Sequence, residues 1–305
     1  MTAPREKPAD FDRYWQQVER DLAELPPCPE VEELPIRSTD DSVCYGIRLT
    51  SIGPYRIFAY LSIPRGEGPF PALLHLPRYL SVVEVLTQGL SMKKRAQYVV
   101  MTVAARGHRN ADKPFAGSFP GLLTHGIEDP LRYVYRGIVA DCLRSLDYLL
   151  TRPEVDRGRV AAVSLNDMAL IVAGLRSVFC AAAGVPALFY RTRELAPRTT
   201  AYPQEELNDY VRAYPDRAEA AWRTLAYFDP LHFAARMECP SLVWANVVTS
   251  PWSGDDLGPL AKLLGPRAQC RHGTQSTYLD GLYQEQWLAE KTGVAEPALP
   301  EHWQE

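Results

Sequence analysis

The sequence predicts an α/β fold: a mainly parallel β-sheet with helices on both faces, preceded by an N-terminal helix and a β-hairpin. Three observations lead there. Short apolar runs at 72–76, 98–104, 160–164, 180–185 and 242–246 have the length and composition of strands buried on both faces. Helical periods lie between several of them. The clearest is Leu131, Val134, Ile138, Cys142, Leu146 and Leu149; others cover 205–222, 256–264 and 277–291. Strand-helix alternation of this kind specifies crossover connections between parallel strands.

Upstream, Phe11, Trp15, Val18, Leu22 and Leu25 share one helical face after an N-cap candidate, Asp10, and Pro26, Pro27 and Pro29 end that helix. Two β-rich runs, 43–51 and 55–63, flank Ile52-Gly53-Pro54 and read as a hairpin. Without internal repeats or a low-complexity linker, residues 1–305 read as one domain, with 1–30 as a helical extension.

The chain is 46% hydrophobic and 23% charged, which excludes disordered, collagen-like and coiled-coil classes. Its net charge of −4 offers no electrostatic footprint for nucleic acid. No apolar stretch approaches the ~20 residues of a membrane-spanning helix. The N-terminus has no apolar signal-like core, so a cytoplasmic location is expected. Six cysteines lack metal-type spacing, and no His/Asp/Glu spacing suggests a metal, so neither cofactor nor metal is expected.

In such sheets ligands bind beyond the carboxyl ends of the strands. The turns to examine are therefore 75–80, 105–109, 164–168, 186–191, 246–252 and 271–274. The strand-to-helix turn at 160–176 is where a G-x-S-x-G nucleophile elbow would stand, and none is present. Glycine two residues before a serine occurs at Gly89-Leu90-Ser91, which lacks the second glycine. Ser91-Met-Lys-Lys94 and Lys291-Thr-Gly293 mimic a penicillin-recognising pair, but the latter closes a helix and no S-D-N separates them.

Several segments nevertheless carry a specific resemblance. Gly121-Leu-Leu-Thr-His-Gly-Ile-Glu-Asp-Pro130, Tyr133-Val-Tyr-Arg136 and Arg152-Pro-Glu-Val-Asp-Arg-Gly-Arg-Val160 are the strongest. Pro8-Ala-Asp-Phe-Asp-Arg-Tyr-Trp15, Ala105-Arg106-Gly107, Leu225-Ala-Tyr-Phe-Asp229 and Phe233-Ala-Ala-Arg236 add to them. Together they resemble the acetyl xylan esterase / cephalosporin-C deacetylase family, carbohydrate esterase family seven, over nearly the whole chain. The resemblance implies an α/β-hydrolase fold. It is compatible with a homo-oligomer, although the loop between Gly107 and Gly121 is shorter than the family's, against its usual ring-shaped assembly.

The family's catalytic positions do not carry over. Its elbow falls on Ser164-Leu165-Asn166-Asp167-Met168, which puts Asn166 at the nucleophile position. Thr249 stands where the resemblance places the triad acid, and His272 matches the histidine. The oxyanion-hole tyrosine is replaced by Arg78, or retained as Tyr79 with one residue of slack. Tyr190, in the turn after 180–185, joins Arg78, Tyr79 and Thr249 as a substrate-binding candidate.

A carboxamide is not an acyl nucleophile, and losing the serine of a triad costs on the order of a million-fold. Asn166 alternatively keeps an elbow turn at positive φ, which Asn tolerates. Asp167 would repel a developing oxyanion, and reads as a base, a partner of Arg78, or an exposed helix N-cap. His272 could act alone as a general acid or base, while His75, His108 and His125 read as local supports. Met168 in place of a small residue should shift the following helix.

Three functions remain open at this level. The first is non-hydrolytic chemistry on a small molecule (cyclisation, elimination or epimerisation) with His272, Asp167, Asn166 or Arg78 in the old pocket. The second is a non-catalytic binding or partner protein. The third is an esterase with an unrecognised nucleophile, Ser164 or Ser250.

Overall fold

The computed structural model describes residues 6–79, 83, 93–247, 250 and 252–299. Among these, nine strands form one sheet: β1 (Glu30–Glu33), β2 (Ser42–Ser51), β3 (Tyr55–Pro64), β4 (Phe70–His75), β5 (Val99–Ala104), β6 (Val155–Val163), β7 (Ala181–Gly184), β8 (Ser241–Ala245) and β9 (Ala268–His272). Their order is β1-β2-β3-β5-β4-β6-β7-β8-β9. β1, β2 and β3 pair antiparallel, as does β3 with β5; the remaining pairs are parallel. The β2–β3 hairpin closes where Ser51 faces Tyr55, around Gly53 at φ +92°.

Alternation along the central strands explains why both faces are covered. Ala72, Leu74, Met101, Ala162, Ala182 and Val243 enter one core; Leu73, Val100, Ala161, Ala183 and Leu242 enter the other. The first core is closed by the helices Phe11–Glu24, Val134–Leu149, Met168–Leu175 and Gly254–Leu264. The second is closed by Trp287 and Leu288 of the helix Thr277–Thr292. That helix is also tied to the short helix Lys93–Gln97 by a buried ion pair, Lys94 Nζ to Glu285 Oε1 at 2.6 Å.

Among the described residues no helix is long and apolar enough to cross a membrane. The N-terminal helix docks through a ring cluster in which Phe11 meets Phe233 at 5.0 Å, and through Trp15 Nε1 donating to Tyr227 O at 3.1 Å.

Some expected boundaries move. Asp10 caps nothing with its side chain, which instead accepts from Tyr227 Oη at 2.5 Å. Leu131 is 65% exposed and precedes its helix, which begins at Val134. The period over 205–222 is two helices, Gln204–Ala213 and Ala218–Leu225, because Pro215 cannot continue the first. The edge strands β1 and β9 are exposed and polar, so they lack the apolar alternation that marks a strand.

Candidate functional site

The strand order changes direction at β4: the chain leaves β4 toward β5 on one side and β6 toward β7 on the other. Ligands of open α/β sheets sit at the carboxyl edge of such a switch point. The turn after β6 carries Ser164, Leu165, Asn166 and Asp167, and faces the segment after β4 that carries Pro77, Arg78 and Tyr79.

Asn166 is buried and bridges that crevice. Its Nδ2 donates to Pro77 O at 2.9 Å, and its Oδ1 accepts from Met168 N at 3.0 Å. The second bond is an Asx turn that satisfies one of the orphan amides opening the helix Met168–Leu175. Ser164 satisfies another: its hydroxyl donates to Asn166 O at 2.6 Å and accepts from Ala169 N at 3.0 Å. Positive φ among the described non-glycine residues is confined to Cys28, Arg191, Asn246 and Gln275, so Asn166 does not hold a strained elbow, contrary to expectation. Close approach at the turn is provided from the neighbouring strand, where a Cβ on Gly184 would lie 3.3 Å from Asn166 O and 3.2 Å from the Leu170 side chain.

Asp167 is fully buried, not an exposed cap, and it does not pair with Arg78, which is exposed. One oxygen, Oδ2, accepts from the backbone amides of Ala187, Leu188 and Phe189 at 3.0, 2.5 and 3.2 Å. The other, Oδ1, is buried without a hydrogen-bond partner. Burial pushes this carboxyl up to about 6, against the opposing pull of the three amides. The carbonyls of the same segment are held by Gln204 Nε2, which donates to Ala187 O and, at 3.3 Å, to Leu188 O. Downstream, Arg191 N donates at 3.0 Å to Asp229, a half-buried carboxyl that desolvation pushes up to about 7.

Tyr79 is half-buried against the first core, whereas Arg78 is exposed. The Tyr79 hydroxyl donates to Glu206 Oε1, whose second oxygen accepts from Leu123 N at 3.0 Å. The Glu206 carboxylate rests directly on Gly121, where any Cβ would lie 2.3 Å from it. Burial raises Glu206 above the usual carboxylate range; burial, then Glu206, holds the Tyr79 phenol well above its ordinary value. Glu206 and Gln204 carry no sequence motif. The available signal was their place on the buried stripe of their helix, beside Leu207 and Tyr210.

The remaining candidates lie apart from this cluster. Tyr190 is fully buried and donates at 2.6 Å to Asp256 O, so its hydroxyl ties two segments together instead of meeting a ligand. His272 lies in β9, not beyond the last strand, and is exposed. Its ring packs on Gly254, where a Cβ would lie 2.5 Å from Nε2. Among the described residues it makes no hydrogen bond to Asn166 or Asp167. Ser250 is buried and donates to Pro186 O at 2.6 Å. Thr249 lies outside the described residues. No His/Cys/Asp/Glu group among the described residues is arranged to hold a metal.

The match to known proteins agrees with this architecture. Residues 2–249 match the model of the acetyl xylan esterase family. Acetyl esterase Axe7A of Xylanibacter ruminicola is 25% identical over 246 residues, or 76% of this chain; the chain spans about half, 55%, of that relative's length. Acetyl xylan esterase 1 from Thermoanaerobacterium sp. JW/SL YS485 superposes with a TM-score of 0.80 at 20% identity, over 93% of this chain and 94% of that one. The acetyl xylan esterase from Paenibacillus sp. R4 gives 0.79 at 21% identity, over 93% and 95%. An α/β-hydrolase sheet with these connections, matched over most of its length, makes the chain a member of the acetyl xylan esterase family.

Proposed function

We propose that this family member forms no acyl-enzyme and instead acts on a small molecule by proton transfer, in a cyclisation, elimination or epimerisation. The observation that carries this reading is Asn166: the residue at the elbow is a carboxamide with both side-chain atoms bonded to backbone. The two serines that could replace it, Ser164 and Ser250, are equally engaged, and neither has a basic partner within hydrogen-bond reach among the described residues.

Tyr79 and Glu206 supply the proton chemistry in this reading. Glu206 is held toward its protonated form by burial. Glu206 is the base: its carboxylate takes the proton the substrate loses, and the Tyr79 hydroxyl, which donates to that carboxylate in the free protein, turns to the substrate atom that gains negative charge. Asp167 acts through the segment it holds, by fixing 187–189. His272, exposed at the same edge of the sheet, is a second proton carrier only for a ligand that reaches Gly254.

The test uses two probes on purified wild type. With an aryl acetate and an acetylated sugar, hydrolysis should not exceed background. Turnover lost in Ser164→Ala, Ser250→Ala or His272→Ala would establish an esterase instead. With 5-nitrobenzisoxazole, which opens on loss of one ring proton, the wild type should outpace Tyr79→Phe and Glu206→Gln by about tenfold or more. Equal rates in all three would favour a non-catalytic binding protein, for which the engagement of the Asn166 and Ser164 side chains by backbone is the supporting observation.

A further inference from the structure

A cavity of about 750 Å3 opens at the carboxyl edge of the sheet on the far side of β5, between the N-terminal helix, the β2–β3 turn and the start of the helix Val134–Leu149. Three guanidinium groups border it: Arg106, Arg132 and Arg136. Two are held in place by the protein. Arg106 gives Nε and Nη2 to Asp141, at 3.0 and 2.8 Å, and Nη2 also to Ile52 O at 3.0 Å, while its Nη1 lies between Gly137 and Gly53, which both line the cavity. Arg136 gives Nη2 to Asp21 at 2.5 Å, and its Nε is buried without a hydrogen-bond partner. Arg132 is exposed and has no ion pair among the described residues.

Fixed guanidinium groups present pre-organised donors whose planar geometry matches a carboxylate or phosphate. The adjoining helix adds to this, since it has no acidic residue in its first turn and no side-chain cap. The opposite wall is aromatic: the partly exposed ring of Phe115 lies against His125 at 5.6 Å, and the cation of Arg106 sits over Tyr55 at 5.1 Å. Asp21 is already occupied by Arg136 and by Gln17. Glu24, at the exposed end of the N-terminal helix, is the one bordering carboxylate with no ion pair among the described residues.

We infer that this cavity binds a small organic anion, a carboxylate or phosphate carried on a planar ring. The site is separate from the elbow, so it stands whether or not the chain transfers protons there. Calorimetric titration with benzoate, phenyl phosphate and the neutral benzamide, each to about 10 mM, tests it. Saturable binding of at least one anion, absent for benzamide and weakened by added salt, is expected. The relative affinity of benzoate and phenyl phosphate distinguishes the two anion types. Arg132→Gln and Arg136→Lys should each weaken binding by about tenfold, because they remove a donor or its fork geometry. Arg136→Lys retains the charge beside Asp21, and Arg132 is exposed, so an unchanged melting temperature checks that both variants fold. Glu24→Gln should tighten binding, since it removes a like charge. Benzamide binding as well as the anions, no binding at all, or Arg132→Gln binding as wild type would each overturn the inference.

Discussion

At pH 5, Asp167→Ala is expected to lower stability by about 4 kcal/mol and the melting temperature by about 10 °C. The alanine leaves the amides of Ala187, Leu188 and Phe189 buried without an acceptor, and each orphan costs about 1–3 kcal/mol. Asp167→Asn keeps one acceptor oxygen and should cost far less. The pH dependence separates the two effects. The folded carboxyl is pushed from 3.8 to about 6, so the native state holds the proton more tightly than the unfolded chain. Its contribution is therefore fully present below pH ~4 and is lost as pH rises through ~6, by about 3 kcal/mol for roughly two units. Asp229, pushed up to about 7 beside it, acts in the same direction. Denaturant unfolding between pH 4 and 8 should show this decline in wild type and a flatter profile in Asp167→Asn. A wild type that gains stability over that range would contradict a buried, raised Asp167.

Lys94→Met should cost a similar amount, about 3–5 kcal/mol, from a position far from any chemistry. Lys94 is fully buried and Glu285 nearly so, and the substitution strands the carboxylate in the second core. Removing both charges, as in Lys94→Met/Glu285→Leu, should restore most of the loss, since the charges stabilise little relative to well-packed apolar side chains. The single variant should also release His75. Its imidazole is held down to about 3 by burial first and by the Lys94 charge second, so its pKa should rise, which NMR titration reads directly. A single variant as stable as wild type would mean that water reaches Glu285.

The elements legible in the sequence are those whose side chains alternate between two cores. The runs at 72–76, 160–164 and 242–246 lie within two residues of β4, the end of β6, and β8, because Val, Leu and Ala on both faces leave no other reading. The exposed edge strands β1 and β9 carry no such signal. At the site, the absence of a G-x-S-x-G elbow and the carboxamide at Asn166 are visible in the sequence. What Asn166 and Asp167 do is not. Both roles depend on backbone from distant segments, Pro77 and 187–189, and only the folded sheet brings these together. Glu206 was hidden for the same reason: its partners Tyr79 and Leu123 lie 127 and 83 residues away.

The central claim, that no activated serine stands at the elbow, is tested most directly by intact-mass spectrometry after incubation with a fluorophosphonate. The expected result is an unmodified chain, because Asn166 cannot attack phosphorus and the hydroxyls of Ser164 and Ser250 are buried and bonded to backbone carbonyls. A stoichiometric adduct, mapped by peptide sequencing to Ser164, Ser250 or any other serine and lost on its replacement by alanine, would contradict it and restore the chain to the hydrolysing members of its family.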